Sequence, residues 1–209
     1  MKYIVIIGDG MADKATGGKK TPLQEAFTPN MDKLAREGAM GMVRTVPKGQ
    51  YPGSDVANLS ILGYDPNIYY TGRAPLEAAS IGVTLDKNDV AYRCNLVTLA
   101  YNREKTKARL EDYSAGHITT GESRLLIEDV NKALGSDKVI FYPGISYRHL
   151  MVWKDGETGP ECTPPHDITG KEITDYLPLG HGGEFIKGLM HRSVDILEKH
   201  DVNLQRSKK

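Results

Sequence analysis

The sequence predicts an α/β protein, and three observations near its N-terminus support that class. Residues 3–7 are apolar at every position, which is typical of a strand buried on both faces of a parallel sheet. A helical pattern follows at residues 31–35 and ends near Gly38. A second strand is predicted at residues 40–46 and completes a strand–helix–strand order, which indicates layered α/β architecture.

The elements after this nucleus change in character near residue 86. Before that point, a Gly- and Pro-rich loop at 47–54 leads into a short predicted helix that ends at Gly63, and a second short helix is predicted at 76–81. After it, the patterns predict strands at 89–99, 138–142 and 149–153, helices at 120–134 and 183–200, and loops at 102–111 and 156–165. We therefore divide the chain into residues 1–85 and a smaller α+β unit at 86–209.

Composition excludes several classes of partner. The 209 residues contain 27 Lys plus Arg and 27 Asp plus Glu, so there is no overall positive charge for nucleic acid, and only residues 206–209 are locally basic. No stretch approaches the length of a membrane span, and the apolar run at the start is too short for a signal peptide. Cys94 and Cys162 are too few for a disulfide framework. We expect a soluble, cytoplasmic protein with reduced thiols.

Two residues of the first part have both a chemical and a structural interpretation. Asp9 follows a predicted buried strand, at the edge of an α/β sheet where ligands bind, and its carboxylate can hold a divalent metal. It can equally cap a turn or a helix. Ser54 precedes a helix, where it can be an N-cap or a nucleophile whose phosphorylated form the helix N-terminus stabilises.

Other polar residues are candidates for binding an anionic ligand. Asn58 lies one turn beyond Ser54, and Arg73 can bind a phosphate or carboxylate, although either residue can also be an ordinary surface residue. In the second part, three loops each contain a His or an Arg, and Asp167 can act as an acid–base partner or a cap. The candidates in these loops are His117, Arg148, His166 and Asp167.

Eight blocks of sequence together resemble one enzyme family. Three lie in the first part: GDGMAD at 8–13, TPLQEAFTPNMDKLAREG at 21–38 and PGSDVANLSILGYDP at 52–66. The others are YYTGRAPLEAASIGV, YRCNLVT, DYSAGHI, FYPGISYRHL and TPPHDITGK. They are similar to the archaeal-type cofactor-independent phosphoglycerate mutases, from one end of the chain to the other.

The resemblance implies an alkaline-phosphatase-like core with an inserted α+β substrate domain. It implies interconversion of 3-phosphoglycerate and 2-phosphoglycerate through a phosphoserine, with two divalent metals (Mn, Mg, Zn or Co) and no 2,3-bisphosphoglycerate. By matching blocks, Asp9 and Ser54 would bind metal and Ser54 would be the nucleophile. Substrate-binding roles are implied for Asn58, Arg73, His117, Arg148, His166, Asp167 and Arg206.

The family is about twice as long as this chain, and its remaining metal ligands lie in the other half. The resemblance therefore implies a chain that is inactive alone and that associates with a C-terminal half or with a second copy of itself. Two alternatives stay open. One is a related phosphotransferase, such as the proposed homoserine kinases with similar N-terminal blocks, and the other is a non-catalytic binding or assembly module.

Overall fold

The computed structural model describes residues 1–207, so Lys208 and Lys209 of the basic end lie outside the described residues. The helices are α1 (Pro22–Glu25), α2 (Pro29–Glu37), α3 (Ser54–Ile61), α4 (Pro66–Tyr69), α5 (Arg73–Ser80), α6 (Thr120–Leu134), α7 (Gly183–Lys199) and α8 (Asp201–Arg206). The strands are β1 (Val90–Asn95), β2 (Thr98–Tyr101), β3 (Ala108–Asp112), β4 (Val139–Ile145) and β5 (Arg148–Trp153). Within residues 1–207, no helix has the length and hydrophobicity that a bilayer crossing requires.

A three-stranded antiparallel sheet in the order β1-β5-β4 organises the second part of the chain. The central strand β5 pairs with β1 so that Asn95 lies opposite Arg148. Because side chains alternate along a strand, Arg148 and Leu150 lie on one face of the sheet, and His149 and Met151 lie on the other. The sheet therefore has two faces that need cover, and helices pack on both.

One face is covered by α6 and α7. A capping box starts α6: the amide of Glu122 donates to Thr119 Oγ1 at 3.3 Å, and the amide of Thr119 donates to Glu122 Oε2 at 3.0 Å. The apolar stripe of α6 then packs into the main core of the protein. The buried members of that core are Leu96, Ile118, Leu126, Ile127, Val130, Val139, Phe141, Met151, Ile186 and Leu189.

The other face is covered by α5. Ala74 and Ala78 of that helix form a cluster with Leu150 and Val152 of the central strand. Small alanine side chains let the helix approach the sheet closely, so this thin layer fixes the position of α5. Arg73, the first residue of α5, is held at the edge of this layer.

A second, two-stranded sheet is formed by the hairpin of β2 and β3. The segment after residue 169 extends it: the amide of Gly170 donates to the carbonyl of Leu110 at 2.8 Å, and Arg109 forms a bridge with Glu172. The pairing is antiparallel, so residues just before Gly170 lie alongside the Asp112 end of β3.

The strands predicted at residues 3–7 and 40–46 are wrong for this structure, which has no strand in either segment. Tyr3, Ile4, Val5, Ile6 and Ile7 are between 51% and 87% exposed. A strand that is apolar on both faces forms only between neighbouring strands and covering layers. Within residues 1–207 no strand lies beside these segments, so neither segment has a neighbour with which to form a sheet.

Most other elements agree with the patterns except at boundaries, but the loop predicted at 102–111 is wrong at its end, where residues 108–111 belong to β3. The helix predicted at 120–134 is confirmed as α6, and the predicted strands at 138–142 and 149–153 are confirmed as β4 and β5. The single strand predicted at 89–99 is interrupted between Asn95 and Thr98 and becomes β1 and β2. The last helix ends at Lys199, and His200 caps the separate helix α8 with an Nδ1 that accepts from Val202 N at 3.1 Å.

His149 is a buried, neutral side chain on the α6 face. It is 2% exposed, and burial lowers its pKa from 6.5 to about 4. Its Nδ1 accepts from the amide of Gly144 at 3.0 Å, so the ring proton lies on Nε2. That buried nitrogen has no hydrogen-bond partner within the described residues. The ring is therefore held in the core without compensation for a positive charge.

We expect acidification to destabilise the fold through His149. Below about pH 6.5 His149 becomes protonated in the unfolded chain, whereas in the folded chain it stays neutral until about pH 4. The free energy of unfolding therefore falls by about 3 kcal/mol between these two pH values and then levels off. Urea unfolding at pH 7 and pH 4 measures the loss. In His149→Asn the loss should be smaller by that amount, whereas the exposed His191→Asn should behave as wild type. Equal losses in wild type and His149→Asn would contradict the prediction.

Candidate functional site

Ser54 is the first residue of α3, and it does not cap that helix. The N-cap is Gly53, and no side chain makes a cap hydrogen bond at this end. Ser54 is an exposed residue at the N-terminus of the helix. The position therefore removes the capping interpretation of Ser54 and leaves its hydroxyl available for chemistry.

The residue after Ser54 organises a small polar cluster. Asp55 is 15% exposed in its side chain, accepts a hydrogen bond from the Tyr70 hydroxyl, and has one carboxylate oxygen 3.8 Å from Arg73 Nε. Burial raises the pKa of Asp55, but hydrogen bonds from Tyr70 and backbone amides, together with Arg73, outweigh it and lower the pKa. Burial and the same carboxylate raise the pKa of Tyr70 to about 12. An ionised Asp55 thus ties Arg73 to the Ser54 end of α3.

Asn58 lies one turn along α3 from Ser54 and is exposed, as the spacing predicted. Asp9 is exposed in a turn whose amide at Met11 donates to the carbonyl of Gly8 at 3.3 Å. A shallow groove of about 380 Å³ runs beside this turn, lined by Met11, Leu23, Met31 and their neighbours, but neither Asp9 nor Ser54 lines it.

The described residues do not form a metal centre by themselves. Within residues 1–207, no group of three or more His, Cys, Asp or Glu side chains is placed to hold a metal ion. Divalent ions such as Mg²⁺ and Mn²⁺ require about six oxygen or nitrogen ligands. Asp9 and Ser54 alone are too few for one such ion, and far too few for two.

His117 lies in a left-handed loop between β3 and α6. Three consecutive residues, Ala115, Gly116 and His117, have φ values of 51°, 64° and 51°. Asp112 stabilises the loop from within, since it accepts hydrogen bonds from the Ser114 amide at 2.8 Å and from the Gly116 amide at 2.6 Å. The His117 side chain itself is exposed.

Arg148 lies beside this loop, at the turn between β4 and β5. Its guanidinium carbon is 5.3 Å from the centroid of the Tyr147 ring, which in turn packs edge-on against Tyr113 at 5.8 Å. Ser146 secures the turn, because its hydroxyl donates to the carbonyl of Ile118 at 2.7 Å. The turn that carries Arg148 and the loop that carries His117 are therefore in direct contact.

His166 and Asp167 lie in a short 3₁₀ turn, and both are exposed. His166 Nε2 is 3.5 Å from Asp167 Oδ1. The turn precedes the segment that pairs with β3, so it lies towards Asp112 and the His117 loop. The sequence placed a His or an Arg in three separate loops. The loops with His117 and Arg148 are in contact, whereas the turn with His166 is connected to β3 only through the segment that follows it.

Arg206 differs from the other candidates because its guanidinium is already hydrogen-bonded to backbone carbonyls and to a carboxylate of the protein. Its Nη2 donates to the carbonyls of Ala115 at 2.6 Å and Gly116 at 3.2 Å, and its Nη1 donates to Glu122 Oε2 at 3.1 Å. These contacts span from α8 to the loop before α6. Arg206 is thus near the candidate site but is directed at the backbone.

Sequence reasoning missed Asp55, Tyr70 and Asp112, which hold the candidates in place. Asp55 and Tyr70 each stand within three residues of a candidate, Ser54 or Arg73, but only the fold shows that they meet across 15 residues of chain. Asp112 had a local signal, since an Asp two residues before a Ser is typical of a side chain that caps its own turn.

Comparison with known proteins identifies the family. The family model described as 2,3-bisphosphoglycerate-independent phosphoglycerate mutase matches residues 35–203, well over half of the chain. This chain belongs to that family. A mutase of this kind from Methanosarcina barkeri is 56% identical over 99% of the chain, and a probable one from Geobacter sulfurreducens is 55% identical over 96%.

The solved cofactor-independent phosphoglycerate mutase from Thermoplasma acidophilum has a similar structure. It is 26% identical, aligns with 90% of this chain at a TM-score of 0.55, and is itself covered over 50% of its length. The mixed helix-and-strand architecture of the chain and this neighbour confirm the α/β class. The chain spans about half the length of the Methanosarcina and Geobacter mutases, 51% and 50% respectively.

Proposed function

We propose that this chain supplies the nucleophile and most of the substrate-binding residues of a cofactor-independent phosphoglycerate mutase, which interconverts 3-phosphoglycerate and 2-phosphoglycerate. The observation that carries the proposal is the uncapped, exposed Ser54 hydroxyl at the start of α3, in a chain of this family. The reaction belongs to glycolysis and gluconeogenesis, so we propose a cytoplasmic location.

The geometry supports one site built from both parts of the chain. Arg73 begins α5, and Ala74 next to it clusters with Leu150 of the central strand. Arg148 is the first residue of β5, where it lies opposite Asn95 of β1. It is two residues before Leu150 and on the same face of the sheet. The Ser54–Arg73 cluster and the loops with Arg148 and His117 therefore lie towards the same end of the layer under α5.

The proposed chemistry needs no group beyond the substrate to balance. Ser54 Oγ attacks the phosphorus of 3-phosphoglycerate, the bond from phosphorus to the C3 oxygen breaks, and the serine proton passes to that oxygen. The C2 hydroxyl of the retained glycerate then attacks the phosphoserine, which restores Ser54 and yields 2-phosphoglycerate. Arg73 and Arg148 neutralise the phosphate and the carboxylate, while His117 and Asn58 bind polar atoms of the substrate.

His166 and Asp167 are the residues that we propose to carry the proton. They are adjacent in the chain, both are exposed, and His166 Nε2 lies 3.5 Å from Asp167 Oδ1, so the two side chains are placed to act together as a general acid–base pair. Each phosphoryl transfer moves one proton from the attacking to the leaving oxygen, so one pair can serve both halves of the reaction.

We further propose that a second polypeptide segment completes the enzyme. The candidate partner is the equivalent of the half of the relatives that this chain does not match. Residues 3–7 present an exposed apolar surface of the kind that strands of a partner sheet cover. Asp9 follows that run, so the same partner would also bring the ligands that Asp9 and Ser54 lack for binding metal.

Reconstitution tests the function directly. We expect no turnover from the 209-residue chain alone, and turnover when it is co-expressed with the unmatched half of the Methanosarcina barkeri mutase. The assay couples 2-phosphoglycerate formation to enolase, with manganese and without 2,3-bisphosphoglycerate. The intact Methanosarcina enzyme is the positive control.

Three outcomes would redirect or reject a part of the proposal. Phosphorylation of homoserine by the reconstituted complex, without mutase turnover, would identify the related phosphotransferase instead. Binding of 3-phosphoglycerate by the chain alone in calorimetry, with no turnover in any complex and no effect of manganese, would identify a binding module. Turnover by the isolated chain would show that no second segment is needed.

A further inference from the structure

The loop that carries His117 has a backbone that needs external support. Left-handed φ values are costly for non-glycine residues, and Ala115 and His117 both adopt them on either side of Gly116. Such a conformation persists only where the surrounding structure fixes it. The contacts of this loop show two side chains that do so, one from each side.

Asp112 holds the loop from within. Its carboxylate accepts from the amide and hydroxyl of Ser114, both at 2.8 Å, and from the amide of Gly116 at 2.6 Å. Burial raises the pKa of Asp112, but these hydrogen bonds outweigh it and lower the pKa, so the carboxylate is ionised at neutral pH. It satisfies the backbone donors of the loop.

Arg206 holds the loop from outside and satisfies its acceptors. Its guanidinium donates to the carbonyls of Ala115 and Gly116 and is oriented by Glu122, which completes the capping box of α6 with the N-cap Thr119. The fit is close, because a Cβ atom on Gly116 would lie 3.0 Å from Arg206 Nη2. All of these contacts of Arg206 are with the loop or with Glu122. They indicate that Arg206 stabilises the loop rather than binding substrate.

We propose that Arg206 is a positioning residue, which acts together with Asp112 to hold the left-handed loop and so to orient His117 towards the substrate. Its role in substrate binding is then indirect. This inference rests on the proposed function for its link to phosphoglycerate, but the loop geometry is independent of that link. The same contacts give a role to α8, which has no buried residue: this helix places Arg206 against the loop.

The test compares Arg206→Gln, His117→Asn and the double variant in the 209-residue chain. Arg206→Gln should speed hydrogen exchange at the Gly116 and His117 amides about tenfold or more, because it removes charge-assisted hydrogen bonds. Calorimetry with 3-phosphoglycerate should show binding weakened by each single change. The double variant should bind no more weakly than His117→Asn, because the loss at Arg206 acts through His117.

Controls separate this role from general destabilisation. Amides of Leu126 and Ile127 in the α6 core should keep their exchange rates, and Arg192→Gln, an exposed charge change on α7, should alter nothing. Gly116→Ala should loosen the loop in the same way as Arg206→Gln.

Three results would decide against a part of this account. Unchanged exchange at Gly116 and His117 in Arg206→Gln would overturn the positioning role. Losses in binding that add in the double variant would overturn it too, in favour of direct contact between Arg206 and substrate. If the wild-type chain binds no 3-phosphoglycerate, the proposed function fails at this site, and the exchange rates alone decide whether Arg206 holds the loop.

Discussion

Ser54→Ala should abolish mutase turnover in the reconstituted enzyme, with a loss of about four orders of magnitude or more, as expected when a covalent nucleophile is removed. The reason is positional: Ser54 is the exposed first residue of α3, and the helix amides beside it can stabilise a phosphoryl group on its oxygen. The enolase-coupled assay measures the loss. Mass spectrometry of the quenched wild-type complex should find the phosphoryl group on Ser54.

Ser60→Ala, on the same helix, is the matched control and should retain turnover. The Ser54 variant should keep its fold, since the hydroxyl that it loses caps nothing in α3. Comparable turnover in Ser54→Ala and wild type, or phosphate on another residue, would exclude Ser54 as the nucleophile.

Leu126→Ala should lower the free energy of unfolding by about 3 kcal/mol. Leu126 is 1% exposed in the core between α6 and the sheet, so the truncated side chain leaves a cavity. Urea unfolding can be followed by fluorescence of Trp153, the only tryptophan, whose ring centroid is 4.4 Å from that of Phe185.

The neighbouring residue provides the control. Leu125 is 52% exposed on the same helix, so Leu125→Ala should change the free energy of unfolding by no more than about 0.5 kcal/mol. Equal losses from the two substitutions would mean that α6 does not pack on the sheet as described.

Periodicity predicted the second part of the fold because its elements bury their apolar faces within the chain. The stripe of α6 and the run in β5 meet inside one core, so the pattern and the structure agree. The same reasoning failed at residues 3–7 for a physical reason. A pattern reports which side chains avoid water, but a strand also needs partners, and the described residues provide none for this run.

At the site, the sequence identified candidate residues but not the residues that position them. Matching blocks singled out Ser54, Arg73, His117 and Arg148, and their roles as nucleophile and ligands remain predictions. The residues that place them could not be found this way, because Asp55–Tyr70 and Arg206–Gly116 are contacts between distant segments. Arg206 shows the limit most clearly: its charge was recognised, but only the fold shows what that charge touches.

The strand order of the main sheet also constrains when it can be built. β5 lies between β1 and β4, yet it is the last of the three to be synthesised. During synthesis β1 leaves the ribosome before its sheet partner β5, and the two strands can pair only after residues 148–153 have been made. β4 is followed directly by β5 and can pair with it at once. The β4–β5 hairpin can therefore nucleate on α6 by local contacts, with β1 joining through a long-range closure. Arg148 lies at the start of β5, so the residues proposed to bind substrate would be assembled by the same late step.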